Sequence, residues 1–145
     1  MISLPLQVDP ERLEQACREA GIAAVYLFGS ALTGEQDGMS DLDLGVLFGP
    51  EVDLSDSLST SARAAEALEP LFRGQRVDMA LVQLAPPTLQ FHAIRGRVLY
   101  CADEDYRTDF EDDALRYYLD WQVEMEMFHR EVMEEIREGR FFAKP

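Results

Sequence analysis

Asp41 and Asp43 stand one residue apart at the start of an apolar run, Leu42 to Phe48. Side chains alternate along a strand, so both carboxylates are expected on one face, with Leu42, Leu44, Val46 and Phe48 on the other. Like charges this close repel, and burying them is costly unless a cation lies between them. A paired-carboxylate site is hard and rich in oxygen, which suits Mg²⁺ or Mn²⁺. A further carboxylate, Asp78, lies inside another apolar run, "RVDMALV". A lone buried aspartate there would be expensive. If the two strands are neighbours, Asp78 joins Asp41 and Asp43. Three carboxylates then hold two divalent ions, which clamp the attacking and leaving oxygens of a phosphoryl or nucleotidyl transfer. Upstream, Gly29-Ser30 closes a first apolar run and opens a helical turn. Glycine lets a phosphate approach the backbone, and the free N–H groups with the Ser30 hydroxyl can bind phosphate oxygens.

The elements that must position these residues are legible in order. Asp9-Pro10 and "ERLEQACREA" predict a capped helix that buries Leu13, Ala16, Cys17 and Ala20 and ends at Gly21. Ile22 to Phe28 reads as the first strand, Ala31 to Gly34 as a short helical turn, and Leu42 to Phe48 as the second strand. Asp53 to Phe72 predicts a helix with Leu58, Ala62, Ala65, Leu68 and Leu71 on one face. Arg76 to Leu84 is expected as the third strand. Pro86-Pro87 then start the helix "TLQFHAIR", and Gly96 turns the chain into a last strand, Arg97 to Tyr100. From Asp105 to Arg137 one long helix is expected. Phe110, Ala114, Tyr118, Trp121, Met125, Phe128, Val132 and Ile136 form its apolar stripe. The fold class is therefore α/β or α+β: a small mixed β-sheet with helices packed on it, in a single domain over 1–145.

A chain of 145 residues, 47% hydrophobic, is large enough for a core of its own. No apolar run reaches the length of a membrane span, and the N-terminus does not read as a secretory signal. Cys17 and Cys101, without a CxxC pattern, are expected as reduced thiols of a cytoplasmic protein. The formal net charge of -15 repels phosphate backbones, which argues against direct nucleic-acid binding and favours a basic protein partner. It also repels ATP unless a divalent ion intervenes.

"FGS", ten residues and "DLD" together resemble the nucleotidyltransferase signature of the DNA polymerase β superfamily. The short length is similar to its minimal nucleotidyltransferase (MNT) branch, the MntA-like antitoxins of HEPN/MNT toxin–antitoxin pairs. The resemblance spans Ile22 to Tyr100, and "IRGRVLY" also looks like this branch. It implies a polymerase β-like fold, ATP with Mg²⁺, an adenylyl group as cargo and pyrophosphate as leaving group. It further implies a tyrosine hydroxyl on a cognate HEPN toxin, an RNase, as acceptor. By position, Gly29 and Ser30 would bind the nucleotide phosphates and Asp41 and Asp43 the metal. Asp78 would complete the triad and help to activate the acceptor. One departure concerns the nucleotide side. The loop reads "GSALTG", with Leu32 and Thr33 where family members often carry Ala-Arg. Thr33 offers one neutral hydrogen bond in place of a bidentate cation.

Three functions compete on this reading. The first is a protein adenylyltransferase acting as antitoxin. The second is a non-catalytic antitoxin that masks the toxin by contact. The third is a small-molecule nucleotidyltransferase of the aminoglycoside-modifying kind, against which the lack of a large second domain counts. His92 and His129 are expected on helix surfaces without catalytic roles. The aromatic and methionine stripe from Tyr118 to Met133 reads as core packing, with a partner interface or an oligomer contact as the alternative.

Overall fold

The computed structural model describes residues 8–29, 42–72 and 75–140. Helix α1, Pro10–Ala20, begins where the Asp9 carboxylate accepts the Glu11 N–H. Proline at its first position removes a donor that would have no partner there. It ends at Gly21, whose φ of 79° turns the chain out of the helix. Strands β1 (Ile22–Phe28) and β2 (Leu42–Phe48) pair antiparallel, with β4 (Arg97–Cys101) antiparallel on the other side of β1. Strand β3 (Val77–Leu81) pairs parallel with β2, so the sheet order is β3-β2-β1-β4.

Alternation sorts β2 as the sequence predicts. Leu42, Leu44, Val46 and Phe48 join Val25 and Leu27 against Leu13, Cys17 and Ala20 of α1 and Ala64 and Leu68 of α2, Ser57–Leu68. On the opposite face, Tyr26 and Leu47 pack with Val82, with Ala93 of α3 (Pro87–Ile94) and with Phe110 of α4 (Glu104–Arg137). Gly45 lies on this second face. A Cβ there would stand 2.9 Å from Val82 Cγ1 and 3.2 Å from the Ala93 Cβ, so the helix layer seats against bare backbone. Helix α4 is tied to the sheet by Tyr26, whose hydroxyl donates to Glu111 at 2.9 Å, while Arg107 donates to the same carboxylate at 2.6 Å.

Three expectations about elements need correction. The second helix starts at Ser57, not at Asp53. The Asp53 carboxylate accepts the Ser55 N–H in a turn, and Asp56 is the cap that accepts Ser59 N–H. Its buried positions are Thr60, Ala64 and Leu68, and Leu58 is 81% exposed. Leu68 is buried as expected and Leu71 packs against the core, but the start of the helix turns Thr60 and Ala64 inward in place of Leu58 and Ala62, with the Thr60 hydroxyl satisfied by donating to the Asp56 carbonyl at 2.8 Å. Pro70 then tightens the chain into a 3₁₀ turn, Glu69–Leu71. The third strand stops at Leu81, and Val82–Leu84 form a 3₁₀ turn. There the Gln83 side chain replaces a strand partner. Its carbonyl accepts the Phe48 N–H at 2.9 Å and its amide donates to the Phe48 carbonyl at 2.7 Å. The long stripe of α4 packs only at its start, as described below.

Cys17 and Cys101 are free thiols. Burial pushes the Cys17 thiol up from 9.0 to about 12. The Tyr26 phenol is raised as well, first by burial and then by its bond to Glu111. For both groups the folded state favours the protonated form. Their contribution to stability is therefore complete below about pH 9 and is lost as pH rises, with a slope of at most about 1.4 kcal/mol per pH unit for each group. Urea midpoints should be level at neutral pH and fall above about pH 9. In Cys17→Ala the plateau should be lower and the alkaline fall shallower. An equally steep fall in that variant would assign the effect elsewhere. No helix among the described residues is long and apolar enough to cross a membrane.

Candidate active site

Asp43 is the second residue of β2 and Asp78 the second of β3. The parallel register pairs them directly. Neighbouring strands lie about 4.8 Å apart, and paired residues of a parallel ladder project to the same face. The two carboxylates therefore rise side by side. The register follows from matching apolar neighbours, Leu42 beside Val77 and Leu44 beside Met79, which all turn toward α1 and α2.

Gly29 closes the arrangement from β1. Phe28 pairs with Asp43, and the next residue turns away with φ of 80°. A Cβ at Gly29 would lie 2.2 Å from Asp43 Oδ2 and 3.1 Å from its Cγ. The carboxylate thus rests against the glycine Cα, at a conformation that L side chains rarely adopt. Glycine is required here for two reasons, and both concern the position of Asp43.

The expected burial of Asp78 is not found. Asp78 is exposed because β3 is the edge strand, and Asp43 is half-buried. The desolvation cost anticipated for a lone core aspartate does not arise. The pair opens into a cleft of about 420 Å³ that follows the β3 edge. One wall carries Ser57 and Ser61, one turn apart on α2. The other carries Leu84, Ala85 and Leu89, and Phe28 also lines the cleft. Sequence reasoning missed these wall residues. The four-residue spacing of Ser57 and Ser61 was the available signal for the hydroxyl wall. The apolar wall depends on the 3₁₀ turn after β3, which the apolar pattern concealed.

Ser30, Thr33 and Asp41, with the turn expected at Ala31 to Gly34, lie outside the described residues. Among the described residues, no group of three His, Cys, Asp or Glu side chains gathers into a metal cage. Asp43 and Asp78 are two adjacent carboxylates, a donor set that fits a hard divalent cation with room for further oxygen ligands. Neither histidine lines the cleft. His92 is exposed beside Phe91, and His129 is exposed far along α4.

A sheet of this order, with an acidic pair at the strand starts beside a cleft of about 420 Å³, suits the class that transfers nucleotidyl groups. The model of the family "Polymerase beta, Nucleotidyltransferase" matches residues 11–105, from the first turn of α1 into the first turn of α4. The chain belongs to that family. Among solved structures, it is similar to a chain of a toxin–antitoxin complex with AMP-PNP: TM-score 0.62, 22% identity, 87% of this chain and 99% of that one covered. A chain of the MntA-HepT toxin–antitoxin gives 0.55, 20%, 86% and 96%. A chain from a tri-AMPylated HEPN toxin of Shewanella oneidensis in complex with MNT antitoxin gives 0.55, 21%, 86% and 95%. At these identities the likeness is one of fold. Comparison with curated protein sequences gives no match.

Proposed function

We propose that this chain is a Mg²⁺-dependent adenylyltransferase that acts as an antitoxin, moving AMP from ATP to a tyrosine hydroxyl of a HEPN-type toxin. The observation that carries the reading is the direct pairing of Asp43 with Asp78, with Gly29 pressed against the first. Asp41 belongs to the same set by sequence alternation. Gly29 and Ser30, with Thr33 as a neutral donor, would hold the phosphates. Bound Mg²⁺, held by Asp41, Asp43 and Asp78, would neutralise the triphosphate against a protein of formal charge -15.

The chain's own groups account for the remaining chemistry. Asp78, exposed at the sheet edge, is accessible to an acceptor arriving from outside. Its carboxylate takes the proton as the acceptor oxygen attacks the α-phosphorus. The bond from that phosphorus to the β-phosphate bridging oxygen breaks. The products are an AMP-tyrosine phosphodiester and pyrophosphate. The apolar wall of Leu84, Ala85 and Leu89 suits an aromatic acceptor better than a sugar. Similar chains come from complexes with HEPN toxins, one of them AMPylated, which supports the choice of acceptor.

Masking by contact is the second reading, favoured by the exposed apolar surface of α4. The two separate in one experiment. The purified chain is incubated with a HEPN-type toxin, labelled ATP and Mg²⁺, and the toxin is mapped by mass spectrometry. Label on a tyrosine is expected. An unlabelled toxin, with Asp43→Ala and Asp78→Ala protecting cells as well as wild type, would establish masking instead.

A further inference from the structure

Helix α4 has 34 residues and is about 51 Å long, yet only its first half is packed. Ala114 is its buried residue, and Tyr118 stacks on Phe91 of α3 with ring centroids 3.9 Å apart. Trp121 then leans on Tyr118 at 5.9 Å. Beyond it most of the stripe is exposed, with Val132 half-buried. Met125 is 41% exposed, Phe128 60% and Ile136 39%. The expectation of core packing from Tyr118 to Met133 is thereby corrected. The sheet and α3 end before the helix does. A shallow groove of about 580 Å³ follows this half between Trp121 and Arg137.

Helical spacing puts Asp120, Glu124, Glu131, Glu134 and Glu135 along one flank of the stripe, while the groove on its other side is lined by His129, Arg130 and Arg137 beside Glu126. We propose that this half of α4 is the docking surface for a protein partner that lays a helix along the stripe and carries Arg and Lys on the side that meets the acidic flank. Ridges at three- and four-residue spacing accept a helix running alongside, and an apolar strip this long marks an interaction surface. The charge selects the occupant. A second copy would bring together two chains of formal charge -15 each, whereas a basic partner is attracted by that charge and oriented by the acidic flank. The inference deepens the antitoxin reading, and rests on it only for the choice of the HEPN protein as probe.

The test is titration calorimetry of the full chain with that HEPN protein, at low and high salt. Met125→Ser/Phe128→Ser should weaken binding at least about tenfold, since exposed anchors of this kind carry most of an interface's affinity. Its melting temperature should match wild type. Glu124→Lys/Glu131→Lys should also weaken binding, and salt should weaken the wild-type complex. Sedimentation of the chain alone should give a monomer. Unchanged affinity in the serine variant would overturn the proposal, as would a dimer that this variant dissolves. If the complex forms and the serine variant loses it, yet no label reaches the toxin, the transfer reading fails and the docking surface stands. If label is transferred and both variants bind as wild type, only the docking surface fails.

Discussion

Asp43→Asn is expected to lower AMP transfer by a factor of about 10³ or more, because losing one charged metal ligand removes several kcal/mol of transition-state stabilisation. The fold should survive. Asp43 lies at the end of a strand, half-buried, next to Asp78. Neutralising one of two like charges directly opposite each other relieves repulsion. Melting temperature should therefore hold or rise slightly while pyrophosphate release collapses. Asp78→Asn should do the same to transfer, since it is argued to be both ligand and proton acceptor. Asp109→Asn, exposed on the first half of α4, is the control for net charge and should leave pyrophosphate release at the wild-type rate. A retained rate in both Asp43→Asn and Asp78→Asn would remove the reaction centre from this edge of the sheet.

Gly29→Ala should damage activity by a different route. The added methyl would sit 2.2 Å from Asp43 Oδ2, so one of the two must move. The left-handed conformation costs an L residue about 1–2 kcal/mol besides. A carboxylate displaced by even about 1 Å loses the geometry that catalysis depends on, at a cost on the order of a hundredfold in rate. The expected signature is a loss of rate larger than the stability change implies, with a melting temperature only a few degrees lower. Gly29→Ala with wild-type kinetics would show that Asp43 need not rest where the glycine puts it.

Much of the framework was legible because its causes are local. Asp9-Pro10 and Gly21 bound α1, since a cap and a left-handed turn act over three or four residues. The two central strands were read to their last residues, because each is a short apolar run bounded by glycine and buried on both faces. The helix before β3 shows the opposite case. Of its leucines Leu68 is buried as expected, but Leu58 points to solvent and Thr60 points inward. A hydroxyl that bonds its own helix backbone can be buried cheaply, and hydropathy does not register that. The end of β3 was missed for a related reason. Val82 and Leu84 continue the apolar run, while the Gln83 side chain takes over the hydrogen bonds of Phe48.

By itself the sequence determined the residue types of the site, the glycine before the loop, and the strand and helix order that the family model matches. Each of these is written in neighbouring residues. Tertiary structure alone decided that Asp43 and Asp78 pair in register, that Asp78 stands on an open edge, and that α4 outruns the body it packs on. Those facts depend on which distant segments meet and where the packing stops. Chain periodicity carries no record of either.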